Sequence, residues 1–313
     1  MLSIAPFSTP GRFRRGNLHA HSTLSDGALA PQAAIAAYQR NGYDFLQLSE
    51  HFLDRYGWPI ADTRAFRSNA FTTLIGAELH APATSVGELW HILAVGLPLD
   101  FPAPGKAETG PELARRAREA GAFVAIAHPA WSQLAEEDGR ALKAAHAIEI
   151  YNHNCAVETD RADGAYLLDR LSNLGRRLTA IAVDDAHFKH GERDAFGGFV
   201  EVKAESLDPE ALLAALKAGH FYASQGPRLH DVRVGRDEIV VETSPVHAVA
   251  LLTGTSRALT VQGSHITRAV FDLAGAAKKA WGETGPAGWF RVVAIEAAGR
   301  RAWTNPIWPD ALG

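Results

Sequence analysis

Short apolar runs ending in polar residues alternate with amphipathic stretches along the first two-thirds of the chain. "YDFLQLSEH", "FTTLIGAELH", "WHILAVGL", "AFVAIAHP", "AIEIYN" and "RLTAIAVDDAH" read as buried strands. Between them lie helix patterns. "APQAAIAAYQRNG" has Pro31 in its first turn and Gly42 as its stop, and "PELARRAREAG" ends on Gly121. "DGAYLLDRLSNLG" and "DPEALLAALKAG" follow the same logic. Strand and helix in close alternation predict an α/β fold with a largely parallel sheet.

Near Pro227 the pattern changes. "DVRVGRDEIVVETS", "AVALLTGT", "ITRAVFDLA" and "WFRVVAIEAAGRRAWTNPIW" are short alternating runs between glycine-rich turns, and "AGAAKK" with Gly275 is too short for a helix. The pattern divides the chain into an α/β unit, residues 1–226, and a small all-β unit, residues 227–313. Trp303 and Trp308 are expected to anchor the second to the first.

Composition adds exclusions. A net charge of -4 supplies no global attraction to a nucleic-acid duplex or a membrane surface. "MLSIAPFSTPGRFRRG" lacks the apolar stretch of a signal peptide, and no run reaches membrane-spanning length. The single cysteine, Cys155, fits a cytoplasmic protein and rules out thiolate-rich zinc sites. The sequence sets no oligomeric state. What needs explaining is the count of 14 histidines.

Many of them stand at strand ends. "NLHAHSTLSDG" carries His19, His21 and Asp26; "SEH" ends in His51, "GAE" in Glu78, "AHP" carries His128, and "DDAH" ends in Asp185 and His187. His91 opens "WHIL". In a β/α barrel the C-terminal strand ends surround one mouth. These six histidines and three carboxylates then meet there, a donor set suited to zinc, manganese or iron. They are too many for one ion, so two or three divalent metals are expected, with a carboxylate bridging. Glu149 in "AIEIYN" reads equally as a support for a ligand or as a strand-end residue. His80, His146, His153, His190, His220, His230, His247 and His265 read as structural or surface residues.

The series from "NLHAHSTLSDG" to "DDAH" resembles, in order, the motifs of the polymerase and histidinol phosphatase (PHP) superfamily across residues 17–225. "FYASQGPRL" and the tail "AWTNPIW" resemble a narrower carbaryl hydrolase-like branch with a C-terminal β extension. "VDDAH" departs from the family's Gly-Ser-Asp-Ala-His, placing a further carboxylate at Asp184. The resemblance implies a distorted seven-stranded β/α barrel. It also implies a partition of ligands. His19, His21, Glu78 and Asp185 would take one metal, Glu78 with His91 and His128 a second, and Asp26, His51 and His187 a third. The implied activity is hydrolysis of a small phosphorylated metabolite or nucleotide, mono- or diester, by a metal-activated hydroxide. Amide, carbamate or ester hydrolysis at the same metals is the competing class. A non-catalytic metal-binding module is the third, against which the intact ligand set argues. Lys189, Arg193, Arg55 and Ser224 are candidate phosphate contacts, with Tyr56, Tyr151 and Asn152 beside them.

Overall fold

The computed structural model describes residues 1–254, 256, 258–273 and 288–308. The "AGAAKK" segment lies outside the described residues. The N-terminal part holds β1 (Leu2–Ser3), β2 (Arg12–Asn17), β3 (Phe45–Leu48), β4 (His51–Phe52), β5 (Thr72–Ala81), β6 (Trp90–Val95), β7 (Phe123–Ile126), β8 (Ala147–Asn152), β9 (Thr179–Val183), β10 (Phe199–Ala204) and β11 (Phe221–Ser224). Its helices are α1 (Pro31–Arg40), α2 (Gly110–Glu119), α3 (Glu136–Ala141), α4 (His153–Thr159), α5 (Ala165–Asn173) and α6 (Pro209–Lys217). The four helices expected from periodicity are α1, α2, α5 and α6. The short α3 and α4 were not expected, because one or two turns carry too little periodicity to read. Thr109 starts α2: its hydroxyl accepts from Glu112 N while Glu112 Oε2 accepts from Thr109 N at 2.9 Å. No helix among the described residues is long and apolar enough to cross a membrane.

One sheet runs through the molecule. Its order is β1-β12-β13-β15-β16-β11-β10-β2-β3-β5-β6-β7-β8-β9, where β12 is Leu229–Val234, β13 Glu238–Thr253, β15 Phe290–Ile295 and β16 Arg301–Trp303; β14 (Ala258–Asp272) pairs with β13. Two expectations need correction. The sheet is mixed rather than largely parallel, because β6 runs antiparallel to both β5 and β7. The ladder also stays open rather than closing into a seven-stranded barrel. β9 packs beside β10 and β11 without a ladder to either. The gap is spanned higher up, where Asp185 N donates to His19 O (2.8 Å) and His21 N to Ala186 O (2.9 Å).

The strands after Pro227 continue this same sheet: β16 pairs with β11, Ala223 opposite Trp303. Two of them, β13 and β14, are longer than the short runs expected, at 16 and 15 residues. β13 passes through Pro245, where the register shifts on either side of Val246 absorb the missing N–H. Trp303 packs into the same apolar cluster as Ala182, Ala223 and Val293, and the Arg177 guanidinium lies 5.0 Å over the Trp308 ring.

Alternation divides the strands between two apolar layers. Leu74 of β5, Leu93 and Val95 of β6, Ala125 of β7, Ala147 of β8 and Ile181 and Val183 of β9 form the inner layer. Ala77 and Leu79, Ile92 and Ala94, Val124 and Ile126, and Ala180 and Ala182 form the outer one, under the helices. The inner layer turns polar at one end, and that end is the site.

Candidate metal centre

The period of two in a strand explains most of the placement. On β5, Glu78 and His80 follow Leu74 on the inner face; on β6, His91 precedes Leu93 and Val95; on β8, Glu149 follows Ala147. Because β6 is antiparallel, its first residues lie at the same end as the last residues of β5, and His80 stands opposite His91 in register. His128 is different. Alternation alone would put it on the outer face with Val124 and Ile126, but its φ of 20° breaks the strand and turns it inward. Asp185, at φ 58°, is likewise held in the left-handed region by the turn after β9.

Glu78 is the centre. Its Oε1 lies 2.7 Å from His91 Nδ1 and 3.0 Å from His128 Nε2, and its Oε2 lies 2.6 Å from His51 Nδ1. His19 Nε2 is 3.6 Å from Glu78 Oε1 and 3.3 Å from Asp185 Oδ1, which His21 Nε2 approaches to 3.0 Å. Asp26 Oδ1 is 3.3 Å from both His51 Nε2 and His187 Nε2. The His21 ring is stacked between those of His51 and His187, 4.3 Å from each centroid. All nine residues read from the strand ends are therefore brought together.

A tenth, His80, was read as structural. It is buried, with Nε2 3.0 Å from His51 Nδ1 and 3.5 Å from Glu78 Oε2. Its signal was in the sequence: two residues past Glu78 on a strand is the same face. Among the described residues, four groups of donors lie close enough to share an ion: His21, Asp26, His51 and His187; His51, Glu78, His80 and His91; His19, His21 and Asp185; and His19, Glu78 and His128. His80 thus joins the His91 group, which the ligand partition from the resemblance did not include.

The donor atoms fit a cation. His19 Nε2, Asp26 Oδ1 and Glu78 Oε2, which face the other donors, are buried and make no hydrogen bond. Leaving such atoms dry and unpaired is unfavourable by about 1–3 kcal/mol each, which coordination removes. Burial works against the charge of Glu78, but His91, His51, His19 and His80 outweigh it and hold the carboxyl well below its usual range. Asp185 is likewise lowered against burial by His19, His21 and His187, and Asp26 by His187, His51 and Lys189. Burial lowers His91 to about 4 and, with the neighbouring His187 and His51, depresses His21. Against burial, the neighbouring carboxylates raise His19, His128 and His187 and lift His51 to about 10, so a divalent cation would displace protons from those rings while it binds the ionised carboxylates.

A second ring of groups aims the first. His19 Nδ1 donates to Glu149 Oε1 at 2.6 Å, leaving Nε2 as the donor atom for an ion. Glu149 Oε2 accepts from His128 N (2.7 Å) and from Asn152 Nδ2 (3.0 Å), whose amide also reaches Asp185 Oδ2. Glu50, which the sequence reading passed over, accepts from the hydroxyls of Ser22 and Ser25 and so holds the loop that carries Asp26. Gly27 closes that loop; a Cβ there would stand 2.5 Å from His21 O. Asp184 faces away from the cluster and accepts from Phe196 N, Gly197 N, Gly198 N and the Tyr38 hydroxyl.

The cluster opens into a cavity of about 600 Å³ lined by Arg55 and Lys189 among others. Lys189 Nζ pairs with Asp26 Oδ2 at 2.8 Å, and the Arg55 guanidinium covers the Tyr56 ring at 4.8 Å. Arg193 and Ser224 do not line the cavity. Ser224 is committed to a turn, donating to Pro227 O at 2.7 Å and accepting from Gly226 N at 2.8 Å. Tyr151 Oη meets His153 Nδ1 at 2.9 Å. Cys155 lines the cavity, but burial and the carboxylates nearby push its thiol far up, so it is no thiolate nucleophile.

No protein-family model matches the chain, and no curated protein matches it. Solved structures do. A two-domain protein of Bacteroides vulgatus containing a predicted PHP-like metal-dependent phosphoesterase superposes with a TM-score of 0.52 at 16% identity, covering 98% of both chains. A protein of Bifidobacterium adolescentis, proposed to be a metal-dependent phosphoesterase, gives 0.41 at 14% identity over 55% of this chain and 87% of its own, too distant to bear on the fold. The chain therefore shares, along nearly its whole length, the fold of the Bacteroides protein.

Proposed function

We propose that the chain is a metal-dependent phosphoesterase of the PHP superfamily that hydrolyses a small phosphorylated metabolite or nucleotide, mono- or diester, at a two- or three-metal site. One observation carries the reading: ten imidazole and carboxylate side chains from separate segments converge at the floor of a single cavity, several with unpaired buried donor atoms. Zinc, manganese or iron ions there would acidify a bound water and neutralise phosphoryl charge. Glu78 sits where it can bridge two ions. Glu149 and Asn152 hold His19 and Asp185 in place, and Lys189 and Arg55 overhang the cavity as cations for phosphoryl oxygens. We read residues 1–226 as the hydrolase unit, braced by the β-rich remainder, and place the protein in the cytoplasm.

The test is metal-replete protein screened against phosphomonoesters, cyclic and acyclic diesters, and aryl carbamates. Turnover of a phosphoester that chelation abolishes and a divalent ion restores is expected. Cys155→Ser should keep that turnover within about twofold, since a buried thiol with so high a pKa takes no part. Chelator-resistant turnover overturns the metal mechanism. Chelator-sensitive cleavage of carbamates with no phosphoester turned over keeps the metals and replaces the substrate class.

A further inference from the structure

The walls of the cavity differ by sector. The ladder places β6, β7 and β8 side by side, so the residues entering β6 and leaving β7 and β8 are neighbours at the mouth. Leu89, Trp131 and Asn154 occupy those positions and all line the cavity. Trp131 and Leu89 are 41% and 42% exposed, so both present apolar surface at the mouth. The Trp131 indole stands edge-on to two rings of the cluster, with its centroid 5.0 Å from that of His128 and 5.4 Å from that of His91. Asn154, on the first turn of α4, is 9% exposed and its Oδ1 has no hydrogen-bond partner. Most of the charged lining beyond the cluster, Asp26, Asp54, Arg55 and Lys189, comes from the segments after β2, β4 and β9, while Glu158 of α4 brings one carboxylate to the Asn154 side.

Resting on the phosphoesterase reading, we propose that Trp131 and Leu89 form a shelf for a planar aromatic leaving group, with Asn154 as its polar contact. The phosphoryl group then lies over the His and carboxylate cluster and the ester's aryl ring lies against the indole. The geometry favours a flat group over an aliphatic one. An aromatic ring matches the indole over its whole face, and offset or edge contacts between rings add to the area they bury. Trp131 is thus a specificity residue, touching the leaving group and not the reacting phosphorus.

Two non-hydrolysable probes test this on the full chain loaded with manganese: phenylphosphonate and methylphosphonate, with dissociation constants measured calorimetrically. Phenylphosphonate should bind at least about fivefold tighter to the wild type, the size expected of one aromatic contact. Trp131→Ala should remove that advantage while binding methylphosphonate as the wild type does. Trp131→Phe should keep most of it. Circular dichroism and the melting temperature verify that both variants are folded; with Trp131 so exposed, both should be. Equal affinity of the wild type for the two probes, or an advantage that survives in Trp131→Ala, overturns the shelf and leaves the phosphoester reading standing. Binding of neither probe overturns the phosphoester reading, and the shelf as a leaving-group site with it.

Discussion

Glu149 is fully buried with both oxygens engaged: one takes the His19 ring proton, and the other takes His128 N and the Asn152 amide. Two candidate ligands just past the ends of different strands thus depend on one carboxylate that belongs to none of the donor groups. Replacing it by glutamine keeps the shape but puts an N–H₂ group where two acceptors are needed. Glu149→Gln should weaken metal retention by about 10–100-fold, read by competition against a chelating dye. An unchanged affinity would show that His19 needs no partner on Nδ1. At this scale the sequence was nearly sufficient. His19, His21 and the "SEH" and "DDAH" residues announce themselves by type and strand-end position. His80 and Glu149 were equally accessible through alternation, two positions from Glu78 and Ala147. His128 was visible by its neighbours, yet its orientation was not, since a φ of 20° breaks the alternation from which orientation is read.

At the level of elements, the far end of the strands makes a complementary prediction. His146, just before β8, accepts from Val124 N at 3.0 Å through Nδ1, so the bond requires a neutral ring. Burial, with Arg118 and Lys217 nearby, lowers it to about 4. An unfolded chain takes up this proton near 6.5, whereas the folded protein resists until about 4. The unfolded state therefore binds more protons across that window, and stability falls as pH drops through it. His146→Asn retains an acceptor for Val124 N but cannot titrate. The melting temperature of this variant should fall less between pH 6.5 and pH 4 than that of the wild type. Parallel curves would assign the acid sensitivity elsewhere. The elements themselves were legible where a pattern ran long enough, as in α1, α2, α5 and α6. Strand direction was not. Nothing in "WHILAV" distinguishes an antiparallel strand from a parallel one, because both faces of β6 are buried in either case.

For the whole molecule, the imidazole-rich floor and the continuous sheet each carry a consequence. Ions that bind only the folded protein stabilise it by mass action, about 2.7 kcal/mol at a hundredfold excess over the dissociation constant. The melting temperature should rise by several degrees on saturation with manganese or zinc and return on chelation. An unmoved temperature would mean the donors hold no ion. The second consequence concerns residues 1–226 alone. Cutting there strips β11 of its partner β16 and removes Trp303 from the cluster it shares with Ala182 and Ala223. The truncated chain should expose that apolar surface and an open strand edge, and be recovered as aggregate rather than as a folded monomer. A monodisperse fragment with a cooperative melt would mark the remainder as dispensable to folding.

The sequence by itself picked out nine candidate donors, their order along the chain and a resemblance of their pattern to a metallohydrolase superfamily, because residue type and strand-end position are local properties. It also determined that the chain turns to β structure after Pro227. Only the tertiary structure decided that the sheet is mixed and open and that its last strand, β16, pairs back onto β11. Only it shows that His80 completes a donor group, that Asp184 turns away to hold the Phe196–Gly198 loop, and that an exposed indole stands beside the cluster. Strand direction, ladder closure and cavity walls depend on which distant segments meet. A one-dimensional pattern specifies which face of each element is buried, but not what it is buried against.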